Sequence, residues 1–105
     1  MDKSDKHYTV QQFMDEEGRF TQWPSKKKKN QQLLILELLS EKFDKTRKYS
    51  EREVNDLLNQ HHTFGDSALL RREMFEKKIL IRTLDCRSYW INEEYPSLDG
   101  DGSVI

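Results

Sequence analysis

The sequence predicts an α+β domain of winged helix-turn-helix type: three to four helices with a small antiparallel sheet, built from a C-terminal hairpin and an N-terminal strand. Three observations carry this expectation. Two mid-chain segments each open on a helix-capping side chain, Ser50 with Glu53 three residues later and then Asp66, and continue with helical apolar spacing. A longer and far more apolar helical run, Leu33 to Leu39, precedes them. After Lys78 the period shortens to that of strands, Ile79 to Leu84 and Arg87 to Ile91, joined at Asp85-Cys86. Long helix, short helix, turn, helix, hairpin is the winged-helix order.

Taken in order, Thr9 with Gln12 reads as a capping box, and Val10, Phe13 and Met14 form the apolar side of a short helix that Gly18 ends. Phe20 and Trp23 follow in an extended segment, because the residue before Pro24 is pushed to the β region; Phe20 and Gln22 share one face, Thr21 and Trp23 the other. Ser25 is the expected N-cap of the long helix. That helix runs to about Phe43, leaves only a narrow polar strip around Asn30, Glu37 and Glu41, and is the expected centre of the core. A polar, basic linker from Asp44 to Lys48 leads to Tyr49 and the Ser50 box, after which Val54, Leu57 and Leu58 face away from Arg52, Asn55, Asp56 and Asn59. His61 to Gly65 interrupts the pattern, and the helix capped by Asp66 reaches about Lys78. The domain is expected over residues 1–92, with residues 93–105 a loose acidic tail.

At 105 residues the chain fits one domain with a small core, since charged residues are 35% of it and hydrophobic ones 34%. No apolar stretch approaches the roughly 20 residues that span a bilayer, and the N-terminal residues lack a signal-peptide core, so a cytoplasmic location without a membrane partner is expected. Cys86 is the single cysteine, which rules out an intramolecular disulfide. The net charge of −1 hides an uneven distribution. Residues 25–49 carry eight basic and three acidic groups, whereas residues 1–24 carry three and five and residues 92–105 carry four acids and no base. A basic middle between acidic ends can serve a polyanion.

The run Lys26-Lys27-Lys28-Lys29 concentrates this charge where a helix is expected to start. Each cation at a helix amino end is unfavourable by roughly 0.3 to 1 kcal/mol, so something outside the helix should compensate. Two readings stand: a phosphate backbone, or the acidic run Asp15-Glu16-Glu17 folded back onto the lysines. On the third helix Arg71 points toward the apolar side and is expected to be a structural ion-pair residue with Glu53 as leading partner, whereas Arg72 lies at the edge of the exposed face. Glu73 and Glu76 on that face would repel phosphates, which argues against insertion into a major groove. The candidate nucleic-acid contacts are therefore Lys26, Lys27, Lys28, Lys29, Lys45, Arg47, Lys48, Arg72 and, at the hairpin tip, Arg87.

Other chemistry is weak. His61 and His62 have no second ligand pair at zinc spacing, and they are expected to end a helix, where a protonated imidazole complements the dipole. Asp99-Gly100-Asp101-Gly102 lacks the bidentate acid of a calcium loop. Cys86 is expected to be an exposed, inert thiol, and Trp23, Tyr89 and Trp90 to pack rather than stack on bases. No glycine-rich phosphate loop and no nucleophile motif is present, so no catalytic residue, metal, cofactor or small-molecule substrate is assigned and the protein is not expected to be an enzyme.

Several separated stretches, Gly18-Arg19 through Trp23-Pro24-Ser25-Lys26, Tyr49 to Asn55, Leu70-Arg71-Arg72-Glu73-Met74, and Ile79 to Arg82 with Tyr89-Trp90, resemble the bacterial family catalogued as domain of unknown function 2087. The resemblance covers roughly residues 13 to 91. It implies a role near transcription control, because members of that family occur alone or joined to helix-turn-helix regulator domains. The family pattern favours glycine where Lys78 and Cys86 stand here, so each must accept a positive φ or use another turn. The expected function is a small regulatory module, transcription-associated, binding DNA or RNA through the lysine cluster and the basic linker. The alternative is an interaction module that pairs with a regulator or with itself and binds no nucleic acid.

Overall fold

Ser50 and Glu53 do what their spacing predicts: the Ser50 hydroxyl accepts from the Glu53 N–H at 3.1 Å, and the Glu53 carboxylate accepts from the Ser50 N–H at 2.9 Å. Asp66 likewise accepts from the Leu69 N–H at 3.1 Å. These local bonds fix two helix starts. The computed structural model describes residues 10–95. Among them are three α-helices, α1 (Lys29–Ser40), α2 (Glu51–Asn59) and α3 (Ser67–Glu76), and an antiparallel pair of strands, β1 (Leu80–Arg82) and β2 (Tyr89–Ile91). The α+β class is therefore present in the expected order.

Helix α1 supplies the centre of the core through Ile35, Leu36, Leu38 and Leu39, all buried. Val54 and Leu58 of α2 and Leu70 and Met74 of α3 pack on it. Its start differs from the expectation. Ser25 is not the N-cap; its carbonyl accepts from the Lys28 N–H at 2.9 Å, closing a turn over Lys26 and Lys27. Gln32 holds that turn by donating its side-chain amide to the carbonyls of Pro24 (2.7 Å) and Ser25 (3.1 Å). Only Lys29 lies inside the helix, and Lys28, at the cap position, provides no side-chain cap. At the other end the chain continues through Glu41, Lys42 and Phe43 in tight turns, which carry the Phe43 ring into the core.

Helix α3 stops at Glu76 because Lys78 adopts φ +67°. The Lys78 N–H then reaches the Phe75 carbonyl (3.1 Å) and the Ile79 N–H the Met74 carbonyl (2.9 Å), the paired bonds of a Schellman cap. In the hairpin Leu80 pairs with Ile91, Ile81 with Trp90, and Arg82 with Tyr89. Cys86, in the loop between the strands, has φ +63°. The two non-glycine residues with positive φ among the described residues thus stand where the family pattern favours glycine.

The third member of the sheet is not an N-terminal strand. Tyr49 takes that place, exchanging two 2.7 Å backbone bonds with Tyr89. The N-terminal segment pairs elsewhere: the Phe20 N–H donates to the His61 carbonyl and the Phe20 carbonyl accepts from Thr63, both at 2.9 Å, so its ring is buried beside the turn between α2 and α3. That turn has unpaired backbone groups to offer, whereas the hairpin edge is already taken by Tyr49. The expected N-terminal helix is a single 3-10 turn, Gln11–Phe13, and its expected cap, Thr9, lies outside the described residues. Gly18, at φ +82°, closes a reversal in which Asp15 accepts from the backbone of Glu17 and Arg19. Beyond the hairpin Asn92 is buried and donates its side-chain amide to the Lys78 carbonyl at 2.9 Å, and residues 93–95 form a turn. The rest of the expected tail, including Asp99 to Gly102, lies outside the described residues.

Candidate nucleic-acid interface

The lysine run sits on the turn that Gln32 ties down and on the first residue of α1. All four side chains are exposed, and none makes an ion pair among the described residues. Of the acidic run that was one way to neutralise them, Asp15 and Glu17 are used otherwise, and exposed Glu16 pairs with none of the four. Arg19 binds Asp15 at 2.9 Å and Glu17 at 3.0 Å, and the Arg19 backbone N–H, helped by its guanidinium, holds the Asp15 carboxyl below its usual range. Lys28 stands 5.6 Å from the centre of the Phe13 ring, a cation–π contact.

The basic middle of the sequence does not form one patch. Twelve residues of α1, at 1.5 Å each, place Lys26 to Lys29 about 18 Å from the linker that follows the helix. In that linker Arg47 is a structural residue: its guanidinium binds Glu53 at 2.8 Å and lies 4.5 Å from the Tyr49 ring centre. Lys48 is 5.0 Å from the centre of the half-buried Trp90 ring. Lys45 is exposed but shares a hollow of about 390 Å³ with Glu37, Glu41 and Glu93. Arg87, 86% exposed, stands 3.7 Å from Asp85. The Tyr49 bridge sets Arg47 and Lys48 beside the start of β2, at the loop end of the hairpin.

On α3 the two arginines separate as their helical positions predict. Arg72 is exposed, whereas the Arg71 side chain is only 19% exposed and bonds the side-chain oxygen of Asn55. Its acidic partner is Glu51 at 3.7 Å, not Glu53. Glu53 is unavailable because it completes the Ser50 box and binds Arg47, and the Ser50 N–H first, then the Arg47 charge, keeps its carboxyl low. Glu73 pairs with Lys77 at 3.2 Å and Glu76 is exposed, which leaves the outer face of α3 partly acidic.

Between α3 and the hairpin lies a cleft of about 200 Å³ lined by Arg71, Arg72, Phe75, Arg82 and Tyr89, with Glu51 at its edge. Sequence reasoning missed Arg82. Strand alternation held the signal, because Arg82 falls on the same face as buried Leu80 and opposite buried Tyr89. Its guanidinium lies 4.3 Å from the Phe75 ring centre and donates to the Thr83 carbonyl at 3.0 Å. The Tyr89 hydroxyl donates to Glu51 at 3.3 Å; burial, and then the Glu51 charge, raise its pKa and keep it protonated.

The histidines do not cap a helix as cations. The His62 Nε2 accepts from the Asp66 N–H at 3.0 Å, so Nδ1 carries the proton and donates to the Leu58 carbonyl at 2.7 Å. This buried, uncharged ring joins the end of α2 to the start of α3. Burial first, and then the Lys42 charge, lower the pKa of His61. Cys86, at φ +63°, is half-buried in the cleft wall rather than exposed. Tyr89 is buried and Trp23 packs on the core, as expected.

Among the described residues no cluster of three His, Cys, Asp or Glu side chains is placed to hold a metal, and no helix is long and apolar enough to cross a membrane. No curated protein and no solved structure matches the chain. Residues 19–91, from Arg19 through the last residue of β2, match the family described as "Uncharacterized protein conserved in bacteria (DUF2087)", and the chain belongs to that family.

Proposed function

We propose that this protein is a winged-helix-like regulatory module that binds the phosphate backbone of nucleic acid through Lys26 to Lys29. One observation carries the reading: the four lysines are exposed and without ion pairs among the described residues, while Asp15 and Glu17 are held by Arg19. Apart from the contact of Lys28 with the Phe13 ring, folding energetics gives no reason for this arrangement, whereas a polyanion does, through release of its condensed counterions. The three helices, the hairpin and the Tyr49 bridge support the winged-helix assignment, and the association with transcription follows from what the family resemblance implies. Binding through lysines alone reads charge and not sequence, so a low dependence on base sequence is part of the proposal. The role is binding rather than catalysis, in the cytoplasm.

A second reading, an interaction module without nucleic acid, is favoured by Leu84, which stands fully exposed at the hairpin tip as an apolar contact for another chain. A mobility-shift series with duplex DNA and with single-stranded RNA over rising salt separates the two. Retardation at low salt that fades as salt rises supports nucleic-acid binding. No retardation even at the lowest salt, together with self-association on a sizing column, supports the second reading.

A further inference from the structure

The cleft between α3 and the hairpin holds three guanidinium groups against one carboxylate, a local excess of two positive charges. Two of the three are fixed before any ligand arrives. Arg71 is held by Asn55 and Glu51, and Arg82 by the Phe75 ring and the Thr83 carbonyl. Each guanidinium has five N–H donors, and these contacts use a minority of them. Arg72, exposed at the rim, makes no ion pair among the described residues. Clamped, planar donors with spare N–H groups suit recognition of an oxyanion. A volume of about 200 Å³ lies below the 300 to 1,000 Å³ of drug-sized pockets and suits one compact charged group.

We propose that this cleft is a second anion site, separate from the lysine run, that binds a single phosphate group. The excess charge favours a phosphate monoester, with its charge of about −1.5 to −2, over a carboxylate with one charge. The phosphate can belong to a small phosphorylated ligand or to a nucleic-acid end. Either would bridge α3 to β1 and fix the hairpin against the helix.

Inorganic phosphate is the probe. Titrated into the full chain while arginine Nε–H and backbone amide resonances are followed, it should produce saturable shifts at Arg71, Arg72, Arg82 and Cys86, absent in chloride at matched ionic strength. Arg72→Gln, an exposed position whose change leaves the fold intact, should weaken that affinity about tenfold, the loss of one charge-assisted contact. Arg82→Gln should do the same, with a melting curve recorded beside it. Replacing Lys26 to Lys29 by glutamine should leave phosphate affinity unchanged, which separates failure of this site from failure of the lysine mechanism. Shifts confined to the lysine run, shifts that never saturate, or equal saturation by acetate overturn the proposal. Displacement of phosphate by a duplex with 5′-phosphate ends, and not by one with 5′-hydroxyl ends, assigns the group to nucleic acid. Displacement by neither duplex assigns it to a small ligand, and displacement by both makes the site a general backbone contact and overturns the monoester assignment.

Discussion

Lys78→Gly should stabilise the protein, and the size of the gain follows from one backbone angle. Lys78 occupies the C′ position of α3 at φ +67°, a conformation that costs an L-residue about 1 to 2 kcal/mol. Glycine removes that cost but brings a larger unfolded-state entropy, about 0.5 to 1 kcal/mol. Nothing else is lost, because the lysine side chain is exposed and without an ion pair among the described residues, and the carbonyl that accepts from Asn92 is backbone. At the middle of these ranges the net gain is about 0.75 kcal/mol, which raises Tm by about 3 to 6 °C in a domain of this size. Thermal unfolding followed by circular dichroism reads it. Lys78→Ala keeps the left-handed penalty while removing the charge, so it should melt close to the parent. A glycine variant no more stable than the parent, or an alanine variant as stable as the glycine one, would refute the reasoning.

Arg71→Ala should lower stability by about 1 to 3 kcal/mol by removing a mostly buried side chain and leaving the half-buried Asn55 without its partner, while Glu51 stays exposed and keeps the Tyr89 hydroxyl; Arg72→Ala should stay within about 0.5 kcal/mol of the parent, and equal urea midpoints for the two would remove the distinction. The pH profile of stability follows from groups whose pKa values fall on folding. His61, lowered from its ordinary 6.5, binds more protons in the unfolded chain, so stability is full above about pH 6.5 and declines as the pH falls below it. Asp15, Asp44, Glu53 and Asp85 are lowered in the same sense from 3.8 or 4.5, which adds a second decline at more acid pH. Urea midpoints from pH 8 to 3 should show that order, and a maximum near pH 5 would contradict it.

What the sequence revealed was local. Ser50 with Glu53, and Asp66, bond backbone within three residues of themselves, so their helix starts could be read directly. At Lys78 and Cys86 the family resemblance left a positive φ or another turn open, and both residues take the positive φ. What stayed hidden depends on partners distant in the chain. The start of α1 is set by Gln32 reaching back to Pro24 and Ser25, and the third member of the sheet is one residue, Tyr49, too short to show a period. Assigning Glu53 to Arg71 ignored that the capping box already uses that carboxylate, and the charge sum over residues 25–49 concealed that a helix divides it in two. Of the predicted contact residues, Lys26, Lys27 and Lys29 make no ion pair or ring contact among the described residues and Lys28 lies over Phe13, whereas Arg47 is taken by Glu53 and Tyr49.

The lysine mechanism is tested most directly by replacing Lys26, Lys27, Lys28 and Lys29 together with glutamine and measuring duplex affinity across a salt series beside the parent. Because only Lys29 lies within α1 and the Lys28 contact with Phe13 is worth about 0.5 to 1 kcal/mol, the substitution should change stability by no more than about 1 kcal/mol. Phosphate binding by these lysines predicts weaker binding to every sequence and a shallower dependence of log affinity on log salt, by up to about 0.9 per phosphate contact removed. Unchanged affinity with an unchanged slope would contradict it.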